Sequence, residues 1–202
     1  MPDTVTPAAV LSYWFGVATG DTATAQAQRR LWWSKDAVID ADIRERFGIV
    51  VNAAAAGAHD DWAGDPCGRL ALIILFDQFP RNIHRDTPQA FAHDPRALQL
   101  ALDGIAIGAD RSLRPIERVF CYLPLEHAES LELQDQCVAL FTALAAGVPD
   151  ADRPIFAGYV DFALRHRDII RRFGRFPHRN RILRRASTAE EEQFLREPGS
   201  SF

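Results

Sequence analysis

Four times the chain sets a threonine or aspartate directly before a proline: Thr6-Pro7, Asp65-Pro66, Thr87-Pro88 and Asp94-Pro95. A side-chain oxygen there caps the open amides of a helix start, and proline at the first helical position gives up an N–H that has no helical partner anyway. Thr188 and Glu191 have the spacing of a capping box that opens a last short helix. Gly16, Gly57, Gly108, Gly147 and Gly174 fall where helices should stop. Strand punctuation does not recur in the same way.

Apolar spacing agrees with this punctuation. Ile39, Ile43, Phe47, Val50 and Ala54 recur every three or four residues, as one helix face requires. Tyr159, Phe162, Ala163, His166, Ile170 and Phe173 form a second such stripe. The run from Leu70 to Phe76 has strand-like composition, but its Asp-Pro start and its length to Phe79 predict a helix buried nearly all round, stopped by Pro80. The fold class expected is all-α: about seven to nine helices, with antiparallel neighbours where loops are short. A single domain over 1–202 is expected, with residues 187–202 forming a C-terminal capping helix and a docked tail. Gly199 to Phe202 is too short to fold alone, so its order requires docking.

Hydrophobic residues at 48% and charged residues at 25% suit a soluble globular chain. No apolar run reaches the roughly 18 residues of a membrane span, and the first ten residues lack a signal-peptide pattern. Cys67, Cys121 and Cys137 are odd in number and lie in apolar helical patterns, which points to free thiols and a cytoplasmic location. Trp32 and Trp33 cannot both face one core, so one is expected to line a pocket or an oligomer contact.

Charge is unevenly placed. Residues 165–185 hold nine arginines against Asp168 alone, a local excess of +8, while the remainder of the chain sums to −12. Only Lys35 is a lysine, against 22 arginines, so the choice of Arg over Lys carries little information about recognition. Asp161, Arg165, Asp168 and Arg172 fall on one helical side with alternating sign, as a laced solvent face does. Arg167 and Arg171 lie on another flank, and Arg175, His178 and Arg179 follow the Gly174 stop. These cations need acids from elsewhere in the fold or an external anion.

Asp77 is the first candidate acid. It follows a seven-residue apolar run, and a buried carboxylate there requires a cationic partner. Arg81, one turn on, is the local choice, and an arginine from 165–179 the distant one. In the stretch from Leu123 to Ser130, Pro124 kinks a helix before Glu126, His127 and Glu129. His127 beside a carboxylate is a candidate general base, and Glu126 or Glu129 is a candidate partner for the arginine segment. The paired Glu-x-x-His pattern of a di-metal carboxylate site is missing, so no metal site is read, and no cofactor is implied. Phosphate-loop, nucleophile-elbow and zinc-spacing motifs are missing as well. His166 reads as a core histidine and Cys67 as a packed thiol. One local echo stands out: Phe76 to Asn82 and Phe173 to Asn180 both carry Phe-x-x-Phe-Pro followed by Arg and Asn.

The stretches VLSYWFG, GRLALIILFDQFPRN, FAHDPRALQLA, ERVFCYLPLEHAES, RHRDIIRRFGRFPHRN and the closing GSSF make the chain similar to the bacterial family catalogued as domain of unknown function 924. The resemblance implies a tetratricopeptide-like fold of paired antiparallel helices in a right-handed arrangement, a shape used for peptide or protein binding. It carries no established activity and no catalytic residue. Two functions follow from the residues. One is a helical module holding an acidic small molecule or acidic peptide on Arg81, Arg165, Arg167, Arg171, Arg175, His178 and Arg179. The other is a small-molecule hydrolase or transferase using Asp77, Glu126 and His127 beside those arginines. Nucleic acid is disfavoured by the acidic total and the scarcity of aromatics in the basic stretch.

Overall fold

The computed structural model describes residues 5–200, and every regular element among them is helical. The α-helices are α1 (Pro7–Phe15), α2 (Asp21–Trp33), α3 (Ala37–Ala55), α4 (Pro66–Ile73), α5 (Phe79–Ile83), α6 (Asp94–Ala106), α7 (Pro115–Glu126), α8 (Leu131–Gly147), α9 (Arg153–Phe173) and α10 (Ala189–Phe194). A π turn at Ile74–Gln78 joins α4 to α5, so the described residues form nine separate helices. None of them is long and apolar enough to cross a membrane.

Capping follows the sequence signals closely. Thr6 accepts from the amide of Ala9, Asp65 from Gly68, and Thr188 and Glu191 cap each other reciprocally. Gly16 and Gly174 end α1 and α9 at φ of 66° and 69°, a region costly for residues with a Cβ. Two signals act differently. Thr87-Pro88 opens only a 3-10 turn, and Asp94 is itself the first residue of α6, which leaves its carboxylate available for other partners.

The helix from Pro66 is buried on all sides as expected: Leu70 to Phe79 are at most 6% exposed. Pro80, however, does not stop it. The amide of Phe79 bonds the carbonyl of Ile74, five residues back, and the widened turn carries the chain past the proline to Ile83. Asp77 therefore lies inside a long helix and not in its last turn. The Arg81 side chain donates to the carbonyl of Asp77.

Around this helix packs a core in which Trp14 contacts Trp32, Phe79 and Phe120, with ring centroids 5.5–6.4 Å apart. The α3 stripe faces this core, from partly buried Ile39 to fully buried Ala54. Of the α9 stripe, Tyr159 and Ala163 face this core, Phe162 is half exposed, and Ile170 and Phe173 join a separate apolar cluster. α7 is central and meets α2, α4, α6, α8 and α9. Trp32 is buried and Trp33 half exposed, dividing the pair as the helix geometry requires.

Beyond α9 a smaller apolar cluster of Ile169, Ile170 and Phe176 is covered by Phe173 and Phe194. The Glu191 carboxylate, 2% exposed by residue, holds this corner: Arg175 grips it at 2.6 and 2.8 Å, and the amides of Thr188 and Asn180 also bond it. Ser200 is buried and bonds the carbonyl of Leu195, so the tail docks at least that far. Ser201 and Phe202, whose docking the sequence also suggested, lie outside the described residues.

Trp14→Ala should cost about 3–5 kcal/mol in urea unfolding, the usual range for a buried aromatic. Trp14→Phe should cost much less, because it keeps the ring contacts and removes a buried Nε1 that has no hydrogen-bond partner among the described residues. The bonds from Arg175 pull the Glu191 carboxyl down to about 2, from an unfolded value near 4.5. Its contribution is thus whole above about pH 4.5 and lost as pH falls towards 2. Denaturation at stepped pH should show Glu191→Gln less stable than the native chain at pH 7, with the difference closing over that acid interval.

Candidate active site

Asp77 has a fully buried carboxylate, and three groups answer it. His127 Nδ1 lies 2.7 Å from Oδ1, Arg81 NH1 lies 3.3 Å from the same oxygen, and Gln78 Nε2 donates to Oδ2. Burial alone would raise this carboxyl, but Arg81, His127 and Gln78 outweigh it and hold it well below the ordinary carboxylate range. An ionised Asp77 fixes the imidazole tautomer: Nδ1 carries the proton, and Nε2 is left as the basic nitrogen. No hydrogen bond to Nε2 is made by the described residues. Burial, with the charge of Arg81, lowers His127 below its usual value, so the ring is neutral at pH 7.

Glu126, one residue before, behaves in the opposite way. The residue is 5% exposed and pairs with no arginine among the described residues; His166 Nδ1 lies 3.4 Å from Oε1. Burial and the neighbouring Asp77 charge push it up to about 8, so it holds its proton at neutral pH. His166 is driven by burial down to about 3 and bonds the Phe162 carbonyl through Nδ1, which therefore carries the hydrogen. The two carboxyls thus stand in opposite protonation states beside two neutral imidazoles, the pattern expected where proton transfer is tuned. The His127 and His166 rings are 6.4 Å apart.

The repeated Phe-x-x-Phe-Pro stretches deliver the two arginines of the site. Arg81 binds Asp94 through two bonds of 2.8 and 3.0 Å, and Arg179 lies 3.7 Å from the same carboxylate. Both guanidiniums lie over the Phe91 ring, and Arg179 also lies over Phe176, 4.5 Å from its ring centroid. Arg179 also donates to the His127 carbonyl at 3.0 Å. It is 7% exposed, and its Nε has no hydrogen-bond partner among the described residues. Burial and the Arg81 charge lower its pKa to about 10, leaving it cationic and incompletely neutralised.

The other residues read from the sequence are placed as follows. His178 lies on the same 3-10 turn as Arg179, against the Phe176 ring, and burial and the Arg179 charge lower it to about 4, with a smaller effect from Lys35. Arg167 and Arg171 share Asp135 and Asp168 on the surface of α8 and α9, and Arg175 belongs to Glu191. Arg165 lies over the exposed Phe162 ring. The laced face has different pairs from those its spacing suggested: Asp168 meets Arg171, and Arg172 meets Glu190. Glu129 is the acid that serves the arginine segment, through two bonds to Arg185 and one from the Phe176 amide.

Asp94 and Phe91 were missed as site residues. Asp94 was read only as a helix start; the signal was its position beside Pro95, at a helix's first residue, where a carboxylate is free to face outward. Cys67 is exposed and not packed, and partial desolvation together with the Asp65 charge raises its pKa, the reverse of an activated nucleophile. Among the described residues no three His, Cys, Asp or Glu side chains converge as metal ligands would. Two shallow surface depressions lie elsewhere, one around Trp33 with Arg29 and Arg30, the other between α8 and α9 around Ala146 and Ala157.

A solved structure of a protein of unknown function, ATU0120 from Agrobacterium tumefaciens, is similar to this chain with a TM-score of 0.78 and 37% sequence identity, covering 94% of this chain and 96% of its own. No curated protein matches the chain. The model of a bacterial protein family of unknown function, DUF924, matches residues 10–199. The four-residue Asp77, Glu126, His127 and Arg179 group lies within that span, and the chain belongs to the DUF924 family.

Proposed function

We propose that this chain is an enzyme of acid–base chemistry, a hydrolase or transferase acting on a small molecule that carries a phosphate or carboxylate. The observation that carries the reading is the 2.7 Å contact between a wholly buried, ionised Asp77 and Nδ1 of a neutral His127. Asp77 orients the ring and stabilises the imidazolium that forms when Nε2 takes a proton from water or an acceptor hydroxyl. Glu126 retains a proton at neutral pH that a leaving group can accept. Arg179 and Arg81 offer positive charge to the anionic group of the substrate. The same proposal places the chain in a reducing cytoplasm, where its three cysteines remain free.

The second reading is a module of tetratricopeptide-like form that holds an acidic peptide or small molecule without changing it. The exposure of Arg171, and of Arg165 above Phe162, favours that alternative.

A panel of phosphate esters and carboxylate esters, assayed with purified chain, should contain a substrate whose kcat/KM falls about 10²-fold or more in His127→Ala and in Asp77→Asn. The pH profile should rise as His127 loses its proton below the usual imidazole range and fall as Glu126 deprotonates near 8. Glu126→Gln should remove the alkaline limb. Retention of full activity in His127→Ala would end the proposal. The binding reading is checked by thermal shift with inorganic phosphate and acidic peptides, where saturation at 100 times Kd is worth about 2.7 kcal/mol. A shift lost in Arg171→Ala favours the outer surface; one that survives Arg171→Ala but not Arg179→Gln favours the inner site.

A further inference from the structure

α7 ends with carbonyls for which the helix supplies no amide donors, and such groups need outside partners when buried. Here the carbonyls of Leu125 and Glu126 at the end of α7, and of His127 and Ala128 in the turn after it, are all met. The Ala128 amide reaches Leu125 at 3.2 Å, and Arg179 takes His127. Gln134 on α8 donates Nε2 to Glu126 at 2.6 Å and to Ala128 at 2.9 Å, and stands 3.4 Å from Leu125. Glu126 and His127 project from the turn so bound.

Gln134 is fully buried, and its Oε1 has no hydrogen-bond partner among the described residues. A methionine of similar size would avoid that unsatisfied oxygen. The amide is therefore accounted for by its two hydrogens, both directed at the turn that carries the acid and the base. We infer that Gln134 is a positioning residue: by tying the carbonyls of Glu126 and Ala128 it fixes the end of α7, and so holds the His127 ring against Asp77. Its catalytic meaning rests on the acid–base reading above, but its test does not.

The test is histidine NMR of the full chain, which has six histidines, assigned by single substitutions. His127 is faced by Asp77 and Arg81 from the long helix, Asp94 from α6, Glu126 from its own helix, His166 from α9, and His178 and Arg179 from the 3-10 turn. In the native chain the Nδ1 proton held by Asp77 should resonate at low field. In Gln134→Met that signal should vanish and the His127 midpoint should rise towards the usual value near 6.5, as the ring moves to solvent. Cys137→Ala, one turn along α8 and equally buried, is the control: it should lower stability and leave both readings in place.

If Gln134→Met keeps the low-field proton and the midpoint, or if Cys137→Ala alters them to the same degree, the inference is overturned. Should Gln134→Met not fold, the native chain decides. Side-chain amide exchange at Gln134 should be at least 100-fold slower than at exposed Gln99, and equal rates would also overturn it. Absence of any enzymatic activity would sink the proposed function while leaving these readings intact.

Discussion

A carboxylate at zero exposure inside an apolar helix is the constraint that orders this end of the molecule. An ion stripped of water costs several kcal/mol unless charge and hydrogen bonds replace the solvent. Asp77 obtains them from its own helix through Arg81 and Gln78, and from α7 through His127. Arg81 then carries its own need outward to Asp94 at the start of α6. Asp94 in turn faces Arg179, on the turn after α9. Four separate parts of the chain are thereby joined by one chain of charges, although they are distant in sequence.

The π turn makes that chain geometrically possible. An ordinary α-helix meeting Pro80 would lose the bond to the Phe76 carbonyl and bend or stop. With the five-residue register at Phe79, the helix passes the proline and keeps Asp77 in its buried middle, with the Arg81 side chain bonded to the Asp77 carbonyl. π turns recur at functional positions because they free backbone groups and redirect side chains without ending the helix. Here the turn carries the acid that meets His127.

Much of the fold was legible because its signals are local. Thr6, Asp65, Thr188 and Gly174 act through bonds within a few residues, and the α3 stripe follows from helical period alone. The fate of Pro80 was not legible, since a proline stop and a π bypass have the same sequence and differ in what packs around them. Within the site, Asp77 with Arg81 and the Glu126-His127 pair could be picked out from burial and charge. Their meeting could not, because it depends on how α7 crosses the long helix. Asp94 was hidden by a bland local explanation, and Gln134 by having none: a polar residue in α8 shows its purpose only when three carbonyls of another helix surround it.

The dense positive charge of residues 165–185 resolves into parts with different physics. Arg171 and Arg172 are on the surface with exposed acids, where each pair contributes a few tenths of a kcal/mol and salt weakens it. Arg175 and Arg185 secure the C-terminal corner against Glu191 and Glu129. Arg179 differs from all of these. It is nine-tenths buried against two phenylalanine rings, shares its acid with Arg81, and has a guanidinium nitrogen without an acceptor among the described residues. Holding a cation in that state is unfavourable for folding alone, since a neutral side chain would fill the same space against the rings. It donates to the His127 carbonyl, so the function proposed above gives the cost a use: an anion bound at Arg179 completes the arginine's bonding next to the turn that carries the proposed base.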